Sequence, residues 1–245
     1  SHSFFTLNSM GIGSRRDSWV LNSSKRHVIS NMERMVMFYN KQVVELQQIA
    51  SKGASLDVQD FINKDDRNIS WSSSLISSLE KRSKAKFEAS KVDPSMYRPF
   101  FRQFLYRGDK MIHRRGQVEE MFPTYDTSNT LICISGVGVT KDFSALGINS
   151  IPDEELTGKS QCFPLHYYQE RSKANPNLFD GKDGSELIQR DGITDFILDR
   201  ARKQYGNKVS KEDIFYYVYG FLHSPEYRST FANDLKRSLP RLPLV

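Results

Sequence analysis

The sequence predicts a mixed α/β fold with segregated elements: a helical N-terminal arm, a small central sheet and a C-terminal helical cluster. Three observations carry this reading. Apolar residues recur at steps of three and four through residues 25–50, strand-length apolar stretches occupy the middle third, and helix-capping signals punctuate the last third. Helices, strands and helices thus follow in blocks, unlike the regular strand–helix alternation of a parallel sheet.

Taken in order, residues 1–24 read as irregular, with turns at Gly11, Gly13 and the Asn22-Ser23-Ser24 cluster. The first helix spans about Lys25 to Ala50, because Val28, Met32, Met35, Tyr39, Val43, Leu46 and Ile49 form one stripe, and Gly53 ends it. Residues 51–69 are polar and read as a loop with a short helical turn at Val58–Asn63. A second helix, Ser73 to Lys86, carries Leu75, Ile76 and Leu79 on one face and basic residues on the other. Asp93 to Pro99 reads as a turn into a strand, Phe100–Tyr106, whose side chains alternate between two faces. Thr130–Val137 is apolar enough for a central strand closed by Gly136 and Gly138, and Gln161–Tyr168 is another strand. Asn175–Asn177 and Asp180–Gly184 mark an exposed connection. Thr194 caps a helix that stops at Gly206, and Ser210 with Asp213 opens a helix that runs through about Leu222. Ser224-Pro225 supplies an N-cap and a first-turn proline for a last helix to about Ser238. With no repeat and no strong linker, residues 1–245 are expected to form one domain, with 1–50 as a possible helical arm.

The chain has 245 residues, of which 38% are hydrophobic and 12% aromatic, enough to bury a core and too much for a disordered chain. No apolar run approaches the roughly 18 residues that span a bilayer. The opening Ser1-His2-Ser3-Phe4-Phe5 lacks the basic and apolar regions of a signal peptide, and the absent initiator Met reads as a fragment or a trimmed tag. Cys133 and Cys162 lie in apolar surroundings and read as buried free thiols, with a disulfide as the alternative. Free thiols suit a reducing cytoplasm, the expected location.

The net charge is +6 and the pI about 9.2, which favours a polyanionic partner. The distribution says more than the total. From Trp71 to Arg115 lie Lys81, Arg82, Lys84, Lys86, Lys91, Arg98, Arg102, Arg107, Lys110, Arg114 and Arg115 against only Glu80, Glu88, Asp93 and Asp109. That net +7 exceeds the whole chain's excess, so the positive charge is concentrated in this stretch.

Catalytic patterns are missing. Gly11-Ile12-Gly13-Ser14-Arg15-Arg16 follows no clear strand and lacks the third glycine of a dinucleotide fingerprint. Gly136-Val137-Gly138-Val139-Thr140-Lys141 is not a P-loop; it reads as a tight turn whose backbone could also approach a phosphate beside Lys141. The five histidines (2, 27, 113, 166 and 223) form no metal-binding pair, and neither cysteine belongs to a CxxC. There is no GxSxG elbow, and the acidic Pro152-Asp153-Glu154-Glu155 lacks the Glu-x-Lys partner of a nuclease and reads as a surface turn. No catalytic residue, metal or cofactor is therefore expected in this chain.

What remains is the basic stretch interleaved with Tyr97, Phe100, Phe104 and Tyr106. Lysines and arginines neutralise phosphates, and arginine also bonds guanine edges in pairs. Composition alone leaves this reading level with that of a solvated face above an ordinary strand. The candidate DNA-binding residues are Arg15, Arg16, Arg102, Arg107, Lys110, Arg114, Arg115 and Lys141.

Several stretches resemble the C-terminal specificity domain of type ISP restriction–modification enzymes. The most specific runs from Asp213 through Tyr216-Tyr217-Val218-Tyr219-Gly220-Phe221-Leu222-His223-Ser224-Pro225-Glu226-Tyr227-Arg228 to Leu239-Pro240-Arg241-Leu242-Pro243. Arg16-Asp17-Ser18-Trp19-Val20, Tyr97-Arg98-Pro99-Phe100, Cys133-Ile134-Ser135-Gly136-Val137-Gly138 and Gln161-Cys162-Phe163-Pro164-Leu165 are similar to the same family, in order. The resemblance implies a parent bacterial polypeptide with nuclease, helicase-like and adenine N6-methyltransferase parts, this chain being the target-recognition part. Its expected partners are duplex DNA and the methyltransferase and helicase-like domains. The rival expectation is a scaffold module that docks neighbouring domains without reading bases. The C-terminal run itself reads as scaffold, since Ile214, Phe215, Val218, Phe221 and Leu222 suit a buried helix face.

Overall fold

A computed structural model describes residues 4–53, 57–170 and 187–244. The stretch with Asn175–Asn177 and Asp180–Gly184 lies outside the described residues. The expected mixed α/β class is what the structure has, but the chain divides into two compact units. One joins Ser1–Gly11 to Gly116–Val245, and the other is the continuous stretch Ile12–Arg115. Residues 1–11 belong to the first unit, and the long helix belongs to the second.

In the second unit that helix runs from Lys25 to Ser51, capped by the Ser24 side chain and ended near Gly53, whose φ of +75° suits a residue without Cβ. Its stripe is buried as the spacing requires: Val28, Met32, Met35, Tyr39 and Val43 have no exposed surface. The helix Asp17–Val20 and the strand Leu21–Asn22 precede it, where an irregular segment was expected. The helix at Ser73 ends at Glu80, not Lys86. Arg82 then takes a φ of +53°, and Lys84 and Lys86 lie on a segment outside any helix or strand instead of on a helix face.

The expected turn at Asp93–Pro99 is instead a strand, Val92–Arg98. It pairs antiparallel with Phe101–Tyr106, and Leu21 and Asn22 pair with Leu105 and Phe104 on the other side of that strand. Pro94, which cannot donate to a ladder, disguised the strand as a turn. Burial in the hairpin is graded along its length more than alternating by face. Phe101 and Arg102 are exposed, Gln103 and Phe104 half-buried, Leu105 and Tyr106 buried.

In the first unit an antiparallel sheet has the order Ser9–Met10, Gln161–Pro164, Leu131–Ile134, Ala145–Ile148. Leu131–Ile134 is buried throughout, as a central strand should be. The expected strand at 161–168 is two: Gln161–Pro164 belongs to this sheet, and His166–Glu170 pairs with Leu187–Asp191 in a separate ribbon. Helices Asp195–Tyr205 and Lys211–Leu222 cover the sheet with Ile197, Ala201, Ile214, Phe215, Val218 and Leu222, which pack against Ile132, Ile134 and Phe163. All three expected caps form: Thr194, the Ser210–Asp213 box and Ser224 with Pro225. The last helix breaks at Phe231 into Pro225–Thr230 and Ala232–Arg237. Cys133 and Cys162 sit opposite each other on paired strands, both buried and free, with sulfurs 2.9 Å apart.

Candidate nucleic-acid interface

Charge divides between the units. Residues 12–115 hold 20 lysines and arginines against 11 acidic residues, a net +9, while the rest of the chain holds 15 against 18, a net −3. The second unit is therefore the one whose charge suits a phosphate backbone.

Three tethers hold its basic segment after the helix Ser73–Glu80. The Tyr39 hydroxyl donates to the Ser83 carbonyl at 2.8 Å. The Asn40 amide bonds both polar groups of the Ala85 backbone, donating at 2.9 Å and accepting at 2.8 Å. The Tyr106 hydroxyl donates to the Lys86 carbonyl at 3.2 Å, while its ring stacks on Phe87. Tyr39 and Tyr106 lie deep enough that burial raises both phenols, Tyr39 to about 12, so they remain neutral donors. The buried side thus fixes the backbone, and Lys81, Arg82, Lys84 and Lys86 stand exposed. Lys110, half-buried, lies beside this group, its ammonium donating to the Lys84 carbonyl at 2.6 Å. Sequence reasoning counted Lys81, Arg82, Lys84 and Lys86 but chose none of them as candidates. Their signal was the charge run itself, misplaced onto a helix.

A second set converges through backbone pairing. Gly13 and Arg114 exchange two hydrogen bonds of 2.9 Å, which brings the Arg15–Arg16 turn beside the Arg114–Arg115 segment. Arg15 is exposed with a φ of +60°, and Arg114 is exposed. The Tyr97 hydroxyl donates to Asp17 at 3.1 Å, which ties the hairpin carrying Arg98 and Arg102 to the same turn. Arg102 is exposed. Arg115 is half-buried and pairs with Asp109 at 2.9 Å.

Two candidates are corrected. Arg16 is only 2% exposed. Its guanidinium donates to the Lys110 carbonyl at 3.2 Å and to the Ser72 hydroxyl at 2.5 Å, so it fastens the Lys110 loop to the start of the helix Ser73–Glu80. Burial lowers its pKa to about 10, which still leaves it charged at neutral pH. Arg107 is 4% exposed and is paired with Asp93, itself 2% exposed. These two arginines are turned inward and brace the face from behind. Discounting the internal Arg107–Asp93 pair leaves the unit's excess charge unchanged.

Lys141 belongs to the other unit, exposed on the loop after Leu131–Ile134, next to Asp142, which pairs with Lys236 at 3.0 Å. The neighbouring glycines do not offer their amides to a phosphate. Gly136 N–H donates to the Gly158 carbonyl at 2.8 Å and Gly138 N–H to the Lys236 carbonyl at 3.0 Å. A Cβ on Gly136 would lie 2.2 Å from the Lys159 carbonyl oxygen, so glycine is needed there for close backbone approach. Asp153 and Glu154, expected on a surface turn, are buried, and Asp153 caps the Glu155 N–H at 2.9 Å. Among the described residues no three His, Cys, Asp or Glu side chains gather as a metal site, and no helix is long and apolar enough to cross a membrane.

The model of the Type ISP C-terminal specificity domain matches residues 3–245. The chain belongs to this family. Three solved structures are similar to the specificity domain over nearly all of its length. One is a nuclease-deletion mutant of the Type ISP restriction-modification enzyme LlaGI in complex with a DNA substrate mimic, 33% identical with a TM-score of 0.79 over 98% of this chain and 20% of that one. A DrdV–DNA complex is 26% identical, TM-score 0.82, over 98% of this chain and 21% of that one. The ATP-dependent Type ISP enzyme LlaBIII bound to DNA is 30% identical, TM-score 0.80, over 99% of this chain and 14% of that one. The specificity domain thus spans about a fifth or less of the chains it matches. No curated protein matches it.

Proposed function

We propose that this specificity domain recognises a duplex DNA target for a restriction–modification polypeptide, and that it does so with no catalytic centre or cofactor of its own. The observation that carries this is the division of charge: the Ile12–Arg115 unit holds a net +9, with Arg15, Arg82, Lys84, Lys86, Arg102 and Arg114 exposed on segments tethered from the buried side. Fixed backbone with outward cations is what phosphate contacts require, and such contacts position the protein while base edges supply specificity. Relatives of the same fold that were solved with DNA support the assignment. Methyl transfer, ATP-driven motion and cleavage are assigned to other parts of the polypeptide, acting in a reducing cytoplasm to which the two free thiols are suited.

The test is a titration of duplex DNA at several salt concentrations. Arg102→Glu combined with Arg114→Glu is expected to weaken binding at least tenfold and to flatten the slope of log affinity against log salt by about 1 for each phosphate no longer neutralised. An unchanged affinity and slope would reject this placement.

A second reading has its own support in the other unit. Its helices expose Phe196, Tyr205 and Tyr216 at 59%, 49% and 50%, a surface suited to docking neighbouring domains. Absence of any gel shift with random duplexes at low salt would favour docking as the role of the whole chain.

A further inference from the structure

The hairpin Val92–Arg98/Phe101–Tyr106 turns through Pro99 and Phe100. Phe100 is 89% exposed, and its backbone φ is +61°. A proline followed by positive φ is the pattern of a type II turn, whose third position is the ordinary place of glycine. A bulky residue there pays twice, in backbone strain and in an aromatic ring left in water. Phe101 beside it is 47% exposed, and its ring meets Tyr97 edge-on at 6.3 Å.

The surroundings suggest what the ring meets. From Pro94 to Gly108 there is no acidic residue, and Arg98 and Arg102 flank the tip. The Arg98 guanidinium lies 3.8 Å over the Tyr97 ring, and Tyr97 is bonded to Asp17, so the tip is anchored next to exposed Arg15. An apolar point on a turn flanked by arginines suits a polyanion with an apolar interior, which describes a DNA duplex. Proteins that kink DNA insert side chains such as phenylalanine between base steps while flanking cations hold the phosphates.

We propose that the Pro99–Phe100 tip is a wedge, and that the Phe100 ring enters the base stack of the duplex held by the basic unit. This rests on the DNA-recognition reading above. It accounts for the strained conformation: a rigid turn presents the ring without the entropy of a flexible loop.

The experiment uses the chain with a duplex enriched by repeated selection from a random pool, and three variants. Phe100→Gly removes the ring and relaxes the turn. Phe100→Asn also tolerates positive φ and removes the ring. Phe100→Trp reports stacking through its emission, with Trp19 and Trp71 of the parent chain as baseline. Both ring-removing variants are expected to melt no lower than the parent and to bind the duplex about tenfold more weakly, the scale of a single base–aromatic stack, with the salt slope retained. Phe100→Trp is expected to bind like the parent, its emission quenched on adding duplex. Equal affinity of the ring-less variants, or weaker binding with Phe100→Trp emission unmoved, overturns insertion while leaving DNA recognition intact. A parent chain that enriches no duplex overturns both readings and turns the tip towards a protein partner.

Discussion

At the residue scale, adjacent arginines have opposite fates. Arg15 is exposed at positive φ, whereas Arg16 is buried against Ser72 and the Lys110 carbonyl. Hydrogen bonds to a charged group contribute roughly 1.5–3 kcal/mol each when partly buried, so Arg16→Ala should destabilise the chain by about 2 kcal/mol or more. Arg15→Ala should stay within about 0.5 kcal/mol of the parent. Urea unfolding of both variants checks this, and equal stabilities would contradict the assignment. Arg107 makes a sharper case. Removing it deprives the buried Asp93 carboxylate of this charged partner, so Arg107→Ala should cost about 3–5 kcal/mol in the same measurement. Pairing Arg107→Met with Asp93→Leu should recover much of that loss, because the desolvated carboxylate is removed as well.

At the scale of elements, capping decides where the C-terminal helices begin. The Ser210 hydroxyl accepts from the Asp213 N–H at 3.0 Å, and the Asp213 carboxylate accepts from the Ser210 N–H at 2.9 Å. Ser210→Ala should lower stability by about 1 kcal/mol, read from the denaturant midpoint. The Ser210 side chain, and then its backbone N–H, hold the Asp213 carboxyl below the usual 3.8. The box's contribution is therefore complete above the unfolded pKa and fades as pH falls through the lowered folded value. In Ser210→Ala the stability difference from the parent should shrink over that acid window. These caps were legible in the sequence because each depends on a few neighbouring residues. The hairpin was half legible. Phe101–Tyr106 showed as a strand, but Val92–Arg98 was hidden by Pro94, whose acceptability depends on where its missing N–H would have pointed. The basic run was legible as charge. Its placement on an irregular segment was not, since tethers from Tyr39, Asn40 and Tyr106 hold it there.

At the scale of the molecule, the Ile12–Arg115 unit is continuous, and the chain leaves and re-enters the other unit at neighbouring points. Gln117 N–H donates to the Ser9 hydroxyl at 2.7 Å. This is the arrangement of an inserted unit, which tolerates excision better than a cut through a core. Replacing residues 12–115 by a short glycine linker should leave a folded remainder that retains a cooperative melt and helical circular dichroism. It should lose duplex binding altogether, since the remaining residues carry a net −3. A remainder that binds duplex as well as the parent would move the recognition face to the C-terminal unit.

By itself the sequence determined the mixed α/β class, the long helix and its buried stripe, the C-terminal caps and the concentration of positive charge. All of these follow from periodicity, local hydrogen bonding or composition, which need no distant partner. Only the tertiary structure decided which arginines face water, how Gly13 meets Arg114, and that two units share the chain. Burial and strand pairing join residues far apart in the chain, and a side chain's exposure is a property of what folds over it.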